Sequence, residues 1–273
     1  MKELTIRAIS GVIYVLLLIS SLYIQEATIV LLAIFGFISL AEFSILIKLK
    51  SFVQYIIFII LYGGFWYICL QNINSTDSDE IVQILLVITI FVNLILIKDL
   101  FTSKKIPLFE SKRYIATTFY LSSGFVFMLL VANFQNKFTP LLLLGGFILV
   151  WVNDSAAYLV GKNFGKQKLF PSISPKKTVE GFLGGLFFAC VSSYFIAKHT
   201  ETLGSTAWLI LAIIVSVLGT FGDLIESKFK RQANVKDSGV IMPGHGGLLD
   251  RLDSIIFAAP FIYLFLRILH YVP

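Results

Sequence analysis

The chain has 273 residues, of which 57% are hydrophobic and only 14% charged, whereas a soluble domain carries about 25% charged residues. That composition excludes an ordinary water-soluble globule, and the formal net charge of +6 does not mark a nucleic-acid binder, because the basic residues lie between apolar runs and form no basic, aromatic-studded domain. Two cysteines, Cys69 and Cys190, stand far apart inside apolar runs, so neither a disulfide framework nor a zinc site is indicated and both read as small packing residues.

The first element, a charged head from Met1 to Arg7 and an apolar body to Tyr23, has the plan of a secretory signal. More apolar runs follow at once, so it reads as a retained first helix that sets orientation. Runs of spanning length fall roughly at 5–24, 27–47, 51–70, 81–97, 115–133, 140–160, 178–197, 206–224 and 254–272. The fold class expected is therefore an all-α polytopic membrane protein of about nine transmembrane helices. With the N-terminus cytoplasmic, about 19 of the 22 basic residues fall on the cytoplasmic side, and only Lys137, Lys198 and Arg267 fall elsewhere. The opposite side receives the acidic loop Asp77, Asp79, Glu80.

No linker, low-complexity tract or internal repeat divides the chain, so residues 1–273 read as one integral-membrane domain. Residues 1–140 supply N-terminal, lipid-facing helices. Residues 141–273 gather the polar residues, with cytoplasmic loops at 161–177 and 223–253.

In that second half the first polar cluster is Asn153, Asp154 and Ser155, near the end of the sixth span; an acid there is a functional-site candidate by default. Next comes a lysine-rich loop ending in Ser174, Pro175, Lys176, Lys177 and Thr178. Pro175 disfavours helix at Ser174, and Thr178 can cap the seventh helix, which holds Lys176 and Lys177 where an anionic headgroup would sit. Gly181 and Gly185 form a small-xxx-small pair for close helix packing.

The stretch from Gly222 to Ser254 is the most loaded. Asp223 and Glu226 share one face where a span emerges, and Asp250 and Asp253 repeat that spacing where the last span begins. Carboxylates near hydrocarbon need a compensating cation, and all-oxygen ligands suit magnesium, which takes its remaining ligands from water and substrate phosphates. Phosphoryl or nucleotidyl transfer is the chemistry this implies. Lys228, Lys230, Arg231 and Lys236 lie between the acids and can neutralise a polyphosphate or an anionic headgroup. Gly244, Gly246 and Gly247, around His245, let backbone amides approach phosphate oxygens at the start of a helix.

Ser227, Phe229, Lys230, Arg231, Lys236, Asp237, Gly239, Pro243, His245, Gly246, Gly247, Leu248, Asp250, Arg251, Leu252 and Asp253 together resemble the signature of the phosphatidate cytidylyltransferase (CDP-diacylglycerol synthase) family nearly position for position. Met242 and Ala156 are small departures from it, and the detailed resemblance covers roughly residues 145–255. It implies transfer of CMP from CTP to phosphatidate, giving CDP-diacylglycerol and pyrophosphate, by a homodimer in the lipid membrane with magnesium and, in relatives, a monovalent cation such as K+ beside it. The metal ligands it implies are Asp223, Asp250 and Asp253. Around them, Lys230, Arg231, Lys236, Asp237, His245, Asp250 and Arg251 are expected to act in catalysis. Asp154, Ser174, Lys176, Lys177, Ser227, Lys228, Gly244, Gly246 and Gly247 are expected to bind substrate. The compact chain suggests a bacterial cell (inner) membrane, with the active site on the cytoplasmic face. Two other readings stay open: a transferase acting on a different lipid phosphate, such as a polyprenyl phosphate, and a transporter of a phosphorylated metabolite.

Overall fold

A computed structural model describes residues 2–71, 76–102 and 105–271, without the side chains of 2–4, 69–71 and 76–78. Lys104, used in the orientation argument, lies outside the described residues, as do the side chains of Lys2, Asp77 and Cys69. Apolar runs without water must satisfy their amides internally, and the chain does so as helix. The first four helices are α1 (Lys2–Ser21), α2 (Gln25–Leu46), α3 (Val53–Gln71) and α4 (Thr76–Leu100). The fifth expected span is a single rod in three parts: α5 (Glu110–Ile115), a π-helical segment (Ala116–Ser122) and α6 (Ser123–Ala132). Four more long helices follow: α7 (Pro140–Phe164), α8 (Val179–Thr200), α9 (Ser205–Gln232) and α10 (Leu249–Tyr271).

Among the described residues, seven helical segments are long and apolar enough to cross a membrane, and two shorter apolar ones cover Thr5–Ser21 and Val53–Ile68. Their outward faces are apolar, with Val12 and Leu16 of α1, Ile59 and Ile60 of α3, Val87 and Phe91 of α4, and Phe187 and Tyr194 of α8 all exposed, as a lipid solvent favours. Several reversals are made by residues in the left-handed region, Lys48 after α2, Glu201 after α8 and Asn234 after α9.

Two features depart from the sequence reading. The loop 161–177 contains a small antiparallel hairpin of β1 (Lys168–Phe170) and β2 (Ser174–Thr178), pairing Lys168 with Thr178 and Phe170 with Ser174. Pro175 keeps Ser174 extended, and a two-stranded ribbon tolerates proline on its unpaired edge. The last two helices also overrun their apolar cores: α9 reaches Gln232 and α10 begins at Leu249. Hydropathy stops at the first charges, whereas Glu226, Lys228 and Lys230 are buried and find partners, so the helix continues through them.

The second half is the better packed. α7 lies against α8, α8 against α9, and α9 against α10, with α6 behind α10. Gly181 and Gly185 make the α7–α8 crossing close: a Cβ on either would fall 2.7 Å from the carbonyl of Ala157 or of Asn153. Tyr120, in the π-helical segment, joins the halves by packing its ring near Phe43 of α2 (5.5 Å), Phe229 of α9 (6.4 Å) and Phe257 of α10 (6.2 Å).

Candidate functional site

The end of the bundle where α7 and α9 finish and α8 and α10 start encloses a cavity of about 670 Å³. Its walls bring together side chains that are far apart in sequence. Lys162, Lys168, Lys176, Lys177, Lys230 and Arg251 supply positive charge, and Asp154, Asp223, Asp237, Asp250 and Asp253 supply negative charge. The apolar parts include Tyr158, Leu169 and Phe182.

Helix geometry places the acids. Asp223 and Glu226 occupy one turn of α9, and Asp253 faces them from α10, so that one carboxylate oxygen from each of the three lies within 4.8 Å of the others. Glu226 Oε1 is buried without a hydrogen-bond partner. Ser227 Oγ donates to Asp223 Oδ1 at 3.2 Å, and Ser254 N donates to Asp253 Oδ1 at 2.7 Å. This donor set, all oxygen with no nitrogen or sulfur, fits a hard divalent cation such as magnesium.

Two lysines face the cluster. The Thr178 hydroxyl accepts from Gly181 N at 3.1 Å, the cap expected at the start of α8. That cap fixes the end of β2, and Lys177 there lies 2.5 Å from Asp223 Oδ2. Burial works against the charge of Lys177, but Asp223, followed by Asp154 and Asp253, outweighs it and raises the lysine above its usual pKa. Lys177 is therefore a fixed cation. Lys230 bridges Glu226, one turn back on α9, and Asp250 Oδ1 at 2.6 Å. Asp154 accepts from Asn153 Nδ2 at 3.2 Å and lines the same wall.

Asp250 sits differently from the role expected of it. Besides Lys230, it accepts from Ser238 N (2.8 Å) and Gly247 N (2.8 Å) through Oδ2, which also lies 3.0 Å from Ser238 Oγ. The three-carboxylate cluster contains Glu226 in its place.

The glycine loop also differs from a phosphate cradle. Gly244 and Gly246 adopt φ of 76° and 88°, which a side chain would strain, and His245 N donates to Met242 O at 2.9 Å. The Gly247 amide is taken by Asp250, while those of Leu248 and Leu249 are taken by Glu42 of α2 at 3.1 and 2.8 Å. The positive end of α10 is thus occupied by the chain's own carboxylates.

Several expected ligands point elsewhere. Lys228 Nζ donates to the carbonyls of Asp99 (2.6 Å) and Thr102 (2.8 Å), closing the C-terminal end of α4. Arg231 donates to Ile173 O and Val235 O, both at 3.3 Å. Ser174 pairs with Phe170 in the hairpin, and Lys236 is exposed in the following loop. His245 Nδ1 lies 2.8 Å from Ser10 Oγ of α1, while Arg251 Nη2 donates to His245 O at 3.0 Å. Burial, then the charges of Arg251 and Arg7, lower the pKa of His245.

Sequence reasoning did not assign Lys162, Lys168 or Glu42 to the site and left Glu226 out of the metal set. For Glu42 the available signal was a lone acid inside an apolar span, a position where charge is costly.

Residues 5–269 match the cytidylyltransferase family. Over 150 residues the chain is 43% identical to the phosphatidate cytidylyltransferase of Staphylococcus aureus (strain COL), covering 54% of this chain and 55% of that one. It is 48% identical over 122 residues to that of Bacillus subtilis (strain 168), covering 44% and 45% of the two chains. A third relative, from Staphylococcus haemolyticus, is 46% identical over 126 residues. In these alignments the chain spans about half the length of the curated relatives it matches.

Proposed function

Since the chain belongs to the cytidylyltransferase family, we propose that it is a membrane nucleotidyltransferase that moves CMP from CTP to phosphatidate and releases pyrophosphate. The observation that carries this reading is the convergence of Lys176, Lys177, Lys230 and Arg251 around the Asp223 and Asp253 carboxylates in one cavity, with Glu226 buried beside those two acids. Two phosphorylated substrates repel each other, and a cationic wall offsets that repulsion.

In the reaction, a phosphate oxygen of phosphatidate attacks the α-phosphorus of CTP in line. The bond from that phosphorus to the bridging oxygen breaks, and pyrophosphate leaves with the electron pair. A phosphate monoester loses its second proton near pH 6, so the nucleophile is largely ionised and needs no strong base. Lys177 and Lys176 hold phosphate oxygens from the hairpin side; Arg251 does so from the α10 side. Lys230 keeps Asp250 and Glu226 in register. Asp223, Glu226 and Asp253 would hold magnesium, which supplies charge neutralisation at the transferring phosphoryl group. Asp250, the other acid the resemblance implies, supports that set through Lys230. A monovalent cation beside the magnesium and assembly as a homodimer belong to the same proposal.

We place the site on the cytoplasmic face of a bacterial cell membrane, because Lys162, Lys166, Lys168, Lys176, Lys177 and Lys236 all lie at its end of the bundle. Purified protein in detergent, given magnesium, CTP and phosphatidate, is expected to release pyrophosphate and form CDP-diacylglycerol only when all three are present. Pyrophosphate release with another lipid phosphate alone would retain the cluster and discard the named substrate. No turnover by well-folded protein would discard the reading.

A further inference from the structure

Glu42 lies about two hundred residues from Asp237, Asp250 and Asp253 in sequence, yet it is 4% exposed and its carboxylate touches the segment that carries them. Oε1 accepts from Leu248 N at 3.1 Å, and Oε2 accepts from Leu249 N at 2.8 Å and from Ser238 Oγ at 3.0 Å. Ser238 Oγ is also 3.0 Å from Asp250 Oδ2, and Ser238 N donates to that same oxygen. One short chain of contacts therefore runs from α2 through Ser238 to Asp250 and on to Lys230 and Glu226.

The surroundings are shaped for this carboxylate. A Cβ on Gly239 or on Gly247 would come within 2.7 Å of Glu42 Cδ, so the absence of a side chain at both positions is what admits it. A buried carboxylate is expensive to desolvate and persists only where donors answer its charge; here two orphan amides of α10 and a hydroxyl do so. Phe43, next in sequence, packs edge-on against Phe229 with ring centroids 5.1 Å apart, which anchors α2 beside Lys230.

We propose that Glu42 is a positioning residue of the site. It sets the rotation of the first turn of α10, and so the direction in which Asp253 faces the α9 acids, and through Ser238 it holds Asp250 against Lys230. The inference rests on the cytidylyl-transfer reading for its meaning in catalysis, but the geometry it asserts can be tested without turnover.

In Glu42→Gln the side chain keeps its shape but turns an NH2 group toward a backbone N–H, so two donors oppose each other. Groups that orient metal ligands typically cost about 10–100-fold when removed. Expected for Glu42→Gln, then, are a fall in kcat of that order, a KM for phosphatidate unchanged within about twofold, and Mn2+ binding weakened about tenfold. The last is measured by electron paramagnetic resonance of free Mn2+ in detergent-solubilised protein. Glu42→Asp, which keeps the charge, is expected to recover part of both losses, and Glu26→Gln, exposed on the same helix, is expected to change neither. A merely structural role would lower the melting temperature and leave kcat and Mn2+ affinity per folded molecule at the wild-type level. That result, or equal Mn2+ affinity in wild type and Glu42→Gln, overturns the proposal.

If Glu42→Gln fails to fold, Ser238→Ala decides: it leaves both amide bonds to Glu42 and the Ser238 N bond to Asp250 in place and removes only the hydroxyl that stands between the two carboxylates. Mn2+ binding weakened severalfold supports the proposal, and unchanged binding overturns it. Wild-type protein that binds Mn2+ but does not turn over CTP with phosphatidate would refute the functional reading alone, because the Mn2+ comparison still judges Glu42.

Discussion

α4 turns Ile84, Val87 and Phe91 outward and keeps its charged residues at its two ends, whereas α9 buries Glu226, Lys228 and Lys230 within two turns. The two helices are similarly apolar over their cores, so hydrophobicity does not separate them. What separates them is where their polar groups find partners. Charges in a low-dielectric bundle persist only when paired or hydrogen-bonded, and in the second half α7, the hairpin, α9 and α10 supply those partners to one another. The first half contributes little to the cavity wall, but its few contacts are directed: Glu42 to the start of α10, Ser10 to His245, and the α4 carbonyls to Lys228.

The sharpest way to break that division of labour is to remove an acid from each half. Asp223 pairs with Lys177 and belongs to the carboxylate cluster, while Asp79 is an exposed acid 3.6 Å from Arg267. Asp223→Asn is expected to lower pyrophosphate release by about three orders of magnitude, the scale of losing electrostatic support at a transferring phosphoryl group. Asp79→Asn is expected to stay within about twofold, since an exposed pair contributes little. Comparable losses in the two variants would mean that the site is not confined to the second half.

Much of this contrast was legible before any coordinates. Long apolar runs place helices because lipid leaves the backbone no alternative, and the cap at Thr178 and the glycine pair on α8 follow from local chemistry. Asp154, Lys177, Asp223 and Asp253 converge on one cavity, in the half of the chain where the sequence gathers its polar residues. The pattern could not say which acid faces which. Asp223, Glu226, Asp250 and Asp253 have equivalent spacings, and only the rotation of α10 against α9 puts Glu226 in the cluster and turns Asp250 to Ser238 and Gly247. Nor could it foresee that the amides at the start of α10 would be filled by Glu42, a contact between helices that no local rule encodes.

Lys228 sharpens the comparison, being a residue of the second half that serves the first. Its ammonium is directed at two carbonyls at the end of α4, and losing a charge-assisted donor to part-buried carbonyls costs more than losing a neutral one. Lys228→Ala is expected to destabilise the protein by about 1–3 kcal/mol, read from unfolding in detergent. Turnover per folded molecule should remain within about threefold of wild type. The opposite pattern, intact stability with a raised KM for phosphatidate, would support the headgroup-binding role expected from sequence.

The smallest effect concerns the contact between α1 and the glycine loop. Ser10 Oγ lies within hydrogen-bonding distance of Arg7 O (3.1 Å), Pro243 O (3.0 Å) and His245 Nδ1 (2.8 Å). A hydroxyl has one proton, and a carbonyl can only accept it, so Nδ1 carries the hydrogen that points at Ser10 and Nε2 is the nitrogen left to titrate. Protonation therefore keeps the bond but adds a positive charge beside Arg251 and Arg7. Because the folded protein lowers the pKa of His245 from the ordinary 6.5, it binds fewer protons here than the unfolded chain does. The associated stability is present above about pH 6.5 and is lost as the pH falls through that value toward the lowered folded one. Between pH 7.5 and 5.5 the melting temperature of the wild type should fall more than that of His245→Gln, which can still bond Ser10 but cannot charge. Equal slopes would show that neither burial nor the two arginines oppose protonation of the imidazole, and would leave Ser10 and Pro243 as the contacts that join the first half to this loop.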